Sequence, residues 1–370
     1  MKRALTVLVF VGVVVALGAQ PSQWEFGFGP RIIGATVAPR YTLQVPTADG
    51  VETSITGLLS GAYQASGYYR APDGSYALPA DVLANTGIIS YNRADFTWEL
   101  GVLQGIVPRG DVLADAASVF LFYRGHYQYP FADDDALFFQ SNLPETAGSL
   151  RGSFVSGVAY NRVTQNRTTR VRDGVQAEVS IEWGPSFLHN QIVGTADYGR
   201  WNARAAGFLP LYELAPLEDR NRLSVYAAGF AAVDWATGPA IPETIRASIG
   251  GRQVRSATGG SVRGYGGGRF DATFKSVANA ELRVGLPAIV LPAIVPGLVI
   301  YTDAGYYADG AALSPVPEEN DGFLLSSGVG ASIDLFDAAV LVFYTSYLWT
   351  EPGNTGERWV PFAVGFGFHF

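Results

Sequence analysis

Apolar residues recur at every second position in many segments of this 370-residue chain. In Gln176–Trp183 they alternate with glutamine, glutamate and serine, and in Ser276–Leu286 with asparagine, glutamate and arginine. Successive side chains of a β-strand point to opposite faces, so a period of two predicts strands with one apolar and one polar face. A soluble β-sandwich alternates in the same way, so the pattern alone does not decide whether the apolar faces point inward or outward.

Three features favour a transmembrane barrel whose apolar faces point outward. Aromatic residues gather near segment ends, as in the interfacial girdles of such barrels: Tyr68, Tyr69, Tyr127, Tyr129, Tyr306, Tyr307, Tyr347 and Trp349. Connections are short at Leu335–Asp337 but long and polar at Pro130–Leu150 and Asp309–Asp321, an asymmetry typical of outer-membrane barrels. The alternation also runs to Phe370, and a terminal strand in lipid needs a partner on both edges, which closure supplies.

The predicted fold class is therefore all-β, a transmembrane antiparallel β-barrel. Spanning strands need roughly 9–11 residues each, so the chain has room for about sixteen of them with their connections. Clear strands are fewer in the N-terminal third, and about fourteen or twelve strands stay open as alternatives.

The N-terminus is predicted to be a secretory signal peptide. Lys2 and Arg3 precede the uncharged apolar run Ala4–Leu17, and the small residues Gly18 and Ala19 follow it. The alternative is a membrane anchor, but the run is shorter than the roughly 18 apolar residues that a spanning helix needs. We therefore expect a leader over residues 1–19, a barrel over residues 20–370, and export to the bacterial outer membrane.

Composition narrows the classes of partner and chemistry. Charged residues make up 16% of the chain, whereas soluble domains carry roughly 25%. Cysteine is absent, which excludes disulfides, iron–sulfur sites, thiol nucleophiles and a lipid-modified N-terminus. Lys2 and Lys275 are the only lysines, there is no polybasic run, and the net charge is −8, so nucleic acid is not expected as a partner.

The glycine-rich segment Gly250–Phe270 invites comparison with phosphate-binding loops. No Gly-Lys pair occurs in the chain and no helical pattern follows these glycines, so neither a lysine nor a helix N-terminus is available for a phosphate. A flexible surface loop is the simple alternative, but it does not account for the segments that follow.

Four motifs in order carry a resemblance to the BamA/TamA-type bacterial surface antigen barrels. They are Val262-Arg263-Gly264-Tyr265, Asn279–Arg283, Tyr301–Gly305 and the aromatic-ended segment Phe362–Phe370. The resemblance covers residues 221–370 well and the earlier half only through its general barrel pattern. Family members carry soluble periplasmic domains before the barrel, whereas strand-like alternation begins here at Trp24, so we expect a barrel-only member without POTRA domains.

The resemblance implies a barrel of about sixteen strands with an extracellular loop folded back into the lumen. Its tip would be the latch Val262, Arg263, Gly264 and Tyr265, and its partners on the inner wall would be Asp303, Glu281 and Gly305. Arg263 would bind the Asp303 carboxylate, because a guanidinium offers a planar fork of donors. Phe366, Phe368 and Phe370 would form the C-terminal assembly signal.

The resemblance also implies a function: outer-membrane protein assembly or insertion, or polypeptide translocation, through a seam between the first and last strands. The alternative is a passive channel or a structural surface antigen that handles no client. Expected partners are outer-membrane lipids and lipopolysaccharide, the barrel assembly machinery during biogenesis, and client polypeptides or a separate periplasmic subunit. No cofactor is expected.

Catalysis finds little support in the sequence. His126, His189 and His369 are scattered, and no metal-ligand spacing or nucleophile elbow occurs. Asp133–Asp135 and Glu318-Glu319 are compatible with a divalent cation at the lipopolysaccharide, or simply with solvated loop charge. We therefore predict neither an enzyme nor a protein-bound metal.

Two further features stay open. Glu178, Glu182 and Arg283 fall on predicted inner faces, where they would either line an ion path or act as packing partners in a filled lumen. The apolar segment Leu286–Val295 contains Leu-Pro-Ala-Ile-Val twice. We interpret it as a turn at the inner membrane surface, with an interaction site as the alternative.

Overall fold

A computed structural model describes most of the predicted strands of the chain. The described residues are 24–29, 32–37, 40–46, 51–65, 92–108, 116–131, 148–166, 171–188, 190, 192–214, 223–242, 245, 262–265, 272–287, 294–308, 321–335, 339–350 and 357–368. Among them, no helix is long and apolar enough to cross a membrane.

Sixteen β-strands account for nearly all of the described residues, and every pairing between them is antiparallel. They are β1 Trp24–Gly29, β2 Ile32–Val37, β3 Arg40–Pro46, β4 Glu52–Ala65, β5 Asn92–Val107, β6 Ala117–Phe131, β7 Ser149–Asn161, β8 Thr164–Gln165, β9 Arg172–Gly184, β10 Asp197–Leu214, β11 Leu223–Ala240, β12 Phe274–Gly285, β13 Ile294–Ala308, β14 Gly322–Leu335, β15 Ala339–Leu348 and β16 Trp359–Phe368.

The pairings run round a complete circuit. From β10 the sheet continues strand by strand to β16, then through β1, β2 and β4 to β7 and β9, and β9 pairs with β10. The first and last strands meet where Glu25 lies opposite Gly367 and Phe28 opposite Val364. The all-β, antiparallel fold class predicted from the alternation is thus confirmed.

Some of the sixteen labelled strands are parts of one longer strand of the barrel wall, so the circuit has fewer wall strands than labelled strands. We call each complete wall strand a stave. Both β2 and β3 pair with β4 in one uninterrupted register, with Gly34 opposite Gln64 and Arg40 opposite Leu58, so they form a single stave. The two-residue β8 pairs only with β9 and adds none. Sixteen strands therefore make fourteen staves among the described residues, and the expectation of sixteen spanning strands is not confirmed.

Burial shows which face of the sheet points inward. In β9, Val179 is 58% exposed and Trp183 is 51% exposed, whereas Glu178 and Glu182, on the other face of the strand, are each only 7% exposed. A soluble sandwich would bury the apolar set instead. The reversed arrangement, polar inside and apolar outside, is that of a barrel in lipid.

Aromatic side chains form a row on the outer face near one end of the barrel. Trp201 lies opposite Trp235 and Trp235 opposite Phe274, and the Phe274 ring packs edge-on against Tyr306 with centroids 6.2 Å apart. The long connections 66–91, 132–148 and 241–273 leave the strands at this same end. Tyr68 and Tyr69 of the predicted girdle lie outside the described residues. Among its described residues Tyr307 differs, because it is 6% exposed and faces the lumen.

Candidate functional site

Two carboxylates face the lumen from adjacent strands. Glu281 of β12 lies opposite Tyr301 of β13, and Asn279 lies opposite Asp303. The side chains of Glu281 and Asp303 are both fully buried. Two acids so close on an inner wall need a cation, because an unpaired buried charge is costly.

Arg263 supplies that cation from the long connection between β11 and β12. Its Nε donates to Asp303 Oδ2 at 2.7 Å and its Nη2 to Asp303 Oδ1 at 2.6 Å, a bidentate pair. Its Nη1 donates to Glu281 Oε1 at 2.5 Å, and its backbone N–H donates to Asp303 Oδ2 at 3.0 Å. Both the side chain and the main chain of Arg263 are thereby tied to the wall.

An aromatic ring supports the same guanidinium. Arg263 Cζ lies 3.6 Å from the centroid of the Tyr301 ring, which is within the range of a cation–π interaction. The Tyr301 hydroxyl donates to the Thr345 carbonyl at 2.9 Å and lies 2.7 Å from Ser346 Oγ. The ring is therefore held by β15, and the contacts of the loop tip extend to that strand.

The loop tip is a tight turn that depends on glycine, both in the turn and on the wall that it touches. Tyr265 N–H donates to the Val262 carbonyl at 3.3 Å, and Gly264 has a φ of 91°. A Cβ added at Gly264 would lie 2.7 Å from Leu348 Cδ2. Gly305 makes room for Val262 in the same way, since a Cβ there would lie 2.6 Å from Val262 Cγ2. Glycine is required at both positions for a close approach.

Tyr265 continues the contacts toward the next strands. It packs against the cluster of buried side chains that includes Val262 and Leu324. Its hydroxyl lies 3.0 Å from Thr350 Oγ1 and donates to the Leu325 carbonyl at 3.4 Å. Thr350 was missed by the sequence analysis, because a single threonine after a strand carries no recognisable pattern.

The electrostatics of the loop tip favour a permanently charged Arg263. Burial lowers the pKa of Arg263, but the hydrogen bonds and the charge of Asp303, together with the charge of Glu281, more than offset that effect and raise its pKa. Arg283 shares Glu281, its Nε donating to Oε2 at 2.6 Å. Two arginines thus face two carboxylates, and the cluster is balanced in charge.

A second set of ion pairs lines the inner wall from β5 to β12. We call it the inner belt and define it as Glu99, Arg124, Glu182, Arg200, Asp234 and Lys275. Arg124 bonds Glu99, Arg200 Nε donates to Asp234 Oδ1 at 2.6 Å, and Lys275 Nζ lies 3.2 Å from Asp234 Oδ2. The sequence analysis named only Glu182 of this set as an inward-facing residue. The other five come together through the register between neighbouring strands, which spacing along the chain does not reveal.

Glu182 lies at the centre of the inner belt. It accepts hydrogen bonds from Ser153 Oγ at 2.7 Å and Tyr198 OH at 2.9 Å, and Arg200 Nη1 lies 3.5 Å away. Beside the belt, Arg204 Nη2 donates to Glu178 Oε2 at 2.5 Å. Both glutamates are therefore partners in ion pairs on a packed inner wall, one of the two roles left open by the sequence.

The connection between β11 and β12 touches the wall at a second point. Lys275 donates to the carbonyl of Ile245, and Ile245 itself is 2% exposed among Ala196, Tyr198 and Ala236. The same connection is thus held at Ile245 by the inner belt and at Arg263 by Asp303 and Glu281.

Other predicted residues are placed only in part. Phe366 lies opposite Phe26 of β1 and Leu341 of β15, and Phe368 lies opposite Ala339. Phe370 lies outside the described residues, as do residues 1–19, 133–135 and 318–319, His189 and His369. Within the described ranges, no group of three or more potential metal ligands comes together.

The fold is similar to that of several solved structures. CdiB from Escherichia coli matches with a TM-score of 0.51 and 14% identity over 95% of this chain and 63% of its own. CdiB from Acinetobacter baumannii matches with a TM-score of 0.50 and 16% identity over 91% of this chain and 50% of its own. BamA from Haemophilus ducreyi lacking POTRA domains 1–3 matches with a TM-score of 0.48 and 13% identity over 94% of this chain and 69% of its own.

The fold therefore defines an outer-membrane β-barrel. More particularly, its fold is similar to that of the two CdiB proteins. The chain spans between half and just under two thirds of the length of the two CdiB proteins. No protein-family model and no curated protein sequence matches the chain.

Proposed function

We propose that this barrel inserts or translocates polypeptides at the outer membrane, by pairing a client strand with β16 when the seam between β1 and β16 opens. The observation that carries the proposal is the short pairing at that seam. It covers Glu25–Phe28 of β1 and Val364–Gly367 of β16, whereas β10 and β11 are paired over nearly their whole length. The fold shared with CdiB supports the same role.

Two local features weaken the seam further. Gly27 lies opposite Gly365, so this position of the ladder has no side chains to pack across it. Beyond the paired stretch, residues 359–363 of β16 have no partner on the β1 side among the described residues, and Pro361 lies within that stretch. Proline is confined to edge strands and bulges in sheets, and Pro361 lies at the irregularity in register between β15 and β16.

Crosslinking from that edge tests the proposal. In the cysteine-free chain, Ala363→Cys places a thiol on β16 just past the paired stretch, and Val342→Cys is the matched control because β15 is paired on both sides there. We expect Ala363→Cys to crosslink to newly exported polypeptides in cells and Val342→Cys not to. Crosslinks from Ala363→Cys to β1 alone would overturn the proposal.

A locked seam provides the second test. Phe28→Cys with Val364→Cys joins β1 to β16, and Phe343→Cys with Val364→Cys joins β15 to β16 as a control. Locking the seam should abolish the client crosslinks of a third cysteine at Ala363, whereas the control lock should leave them intact.

The second candidate function, a passive channel or structural surface antigen, makes the opposite predictions. A barrel with this second function would show single-channel conductance and no client crosslinks. The inserted loop tip and the inner belt both occupy the inner wall, and for this reason we place the channel second.

A further inference from the structure

The connection between β9 and β10 exposes two large apolar side chains. Phe187 is 72% exposed and Ile192 is 71% exposed, more than any other large apolar side chain in the described part of the chain. We call residues 185–196 the apolar knuckle. Exposed apolar surface of this kind marks a contact with lipid or protein.

A buried asparagine of the apolar knuckle is hydrogen-bonded to β7 and to the start of the loop. Asn190 is 0% exposed, its Nδ2 donates to the Pro185 carbonyl at 2.8 Å and to the Gly152 carbonyl at 3.1 Å, and its Oδ1 accepts from Gly152 N–H. Leu150 N–H donates to the Val193 carbonyl at 2.7 Å. These hydrogen bonds tie the loop to β7, while Phe187 and Ile192 remain exposed.

The knuckle is continuous with the apolar outer face of the barrel. The Phe187 ring packs edge-on against Trp183 with centroids 5.7 Å apart, and Trp183 is one of the outward side chains of β9. Trp183 lies opposite Phe154 of β7, another exposed aromatic. The aromatic end of the lipid-facing surface therefore extends onto the loop.

The charge of the knuckle also matches this surface. Residues 185–196 contain no aspartate, glutamate, lysine or arginine, although the chain has a net charge of −8 and the connection 132–148 contains Asp133–Asp135. An uncharged loop with aromatic and aliphatic side chains suits the boundary between lipid head groups and acyl chains. A partner recognised through charge would find no counterpart here.

From these observations we infer that the apolar knuckle inserts Phe187 and Ile192 into the interfacial layer of the outer leaflet and anchors this wall of the barrel. The wall is the one opposite the seam, because the β9–β10 hairpin lies halfway round the fourteen staves from the pair of β1 and β16. Glu182 and Arg200, which belong to the inner belt, are on these same two strands. The anchored wall is thus also a wall tied together by ion pairs.

Fluorescence quenching tests the inference independently of any client. Phe187→Cys, Ile192→Cys and Thr195→Cys each receive a thiol-reactive NBD fluorophore in the cysteine-free chain, and each protein is placed in phosphatidylcholine nanodiscs. Thr195 is the matched control, because it is an exposed polar residue of the same loop. The readouts are the emission maximum, quenching by lipid brominated near the glycerol end of its acyl chain, and quenching by aqueous iodide.

We expect blue-shifted emission and quenching by brominated lipid at positions 187 and 192, and red-shifted emission with iodide quenching at position 195. Iodide quenching of all three probes to the same extent would overturn the inference. Shielding of positions 187 and 192 from both quenchers would overturn it in favour of a protein contact. All three residues are exposed, so none of the substitutions removes a buried contact.

Discussion

Arg263 and Asp303 join a loop to the barrel wall through three hydrogen bonds. Two come from the guanidinium, at 2.6 and 2.7 Å, and one comes from the Arg263 backbone N–H at 3.0 Å. The loop tip and β13 are therefore coupled through both side chain and main chain. Since Glu281 also binds Arg263, β12 belongs to the same unit.

Reversing the charge at Arg263 is expected to weaken folding of the barrel. Arg263→Asp would place a third carboxylate beside the buried Asp303 and Glu281, and loss of a buried partner costs on the order of 3–5 kcal/mol. Adding Asp303→Arg swaps the charges and should restore part of that loss. The measurement is heat-modifiable mobility in gels, with the exposed charge reversal Glu357→Arg as control. If Arg263→Asp alone and Asp303→Arg alone both migrated in unheated samples as the unsubstituted protein does, the result would contradict a latch.

Gly264→Ala is expected to disturb the loop tip without changing any charge. A non-glycine residue at a φ of 91° is strained, and its Cβ would lie within 2.8 Å of Ser346 Cβ and Leu348 Cδ2. Strain of this kind costs of order 1–3 kcal/mol. Gly207→Ala is the control, since a Cβ there meets only Val175 at 3.7 Å. Equal urea midpoints for the two variants would argue against the inserted turn.

Glu182→Gln is expected to loosen the inner belt. It keeps the shape of the side chain but removes the charge that faces Arg124 and Arg200, and hydrogen bonds to charged groups contribute about 1.5–3 kcal/mol. Glu213→Gln is the control, because Glu213 is exposed and exposed charges contribute roughly 0–1 kcal/mol. Urea unfolding in detergent measures both. A Glu182 variant as stable as the Glu213 variant would show that the belt adds little.

Lys275 is expected to be unreactive toward amine reagents in the folded barrel. Its side chain is fully buried against Asp234 and the Ile245 carbonyl, so acylation requires unfolding. Mass spectrometry of the peptide containing Lys275 should show modification only across the urea transition. Rapid modification under native conditions would mean that the connection at Ile245 opens readily.

A large part of the fold could be predicted from the sequence. Alternation with period two in Gln176–Trp183 and Ser276–Leu286 predicts strands with one polar face, and both segments form such strands, with the apolar set outside. The number of staves was harder to predict, because β2 and β3 look like separate segments until their shared register with β4 is known.

The candidate site could also be predicted from the sequence only in part. The Arg263 motif and the acids Asp303 and Glu281 stand out in the sequence because each lies in a recognisable segment. Thr350 and the link from Lys275 to Ile245 do not, since they depend on which loop folds over which strand.

By itself the sequence determined the alternation of strands, the separation of each strand into an apolar and a polar face, and the identity of the arginine motif, because these depend on neighbours along the chain. Only the tertiary structure decided the register, the fourteen staves and the inner belt. The physical reason is that Glu182 meets Arg124 and Arg200 across three different strands, and such pairs exist only once hydrogen bonding between strands has set their relative position.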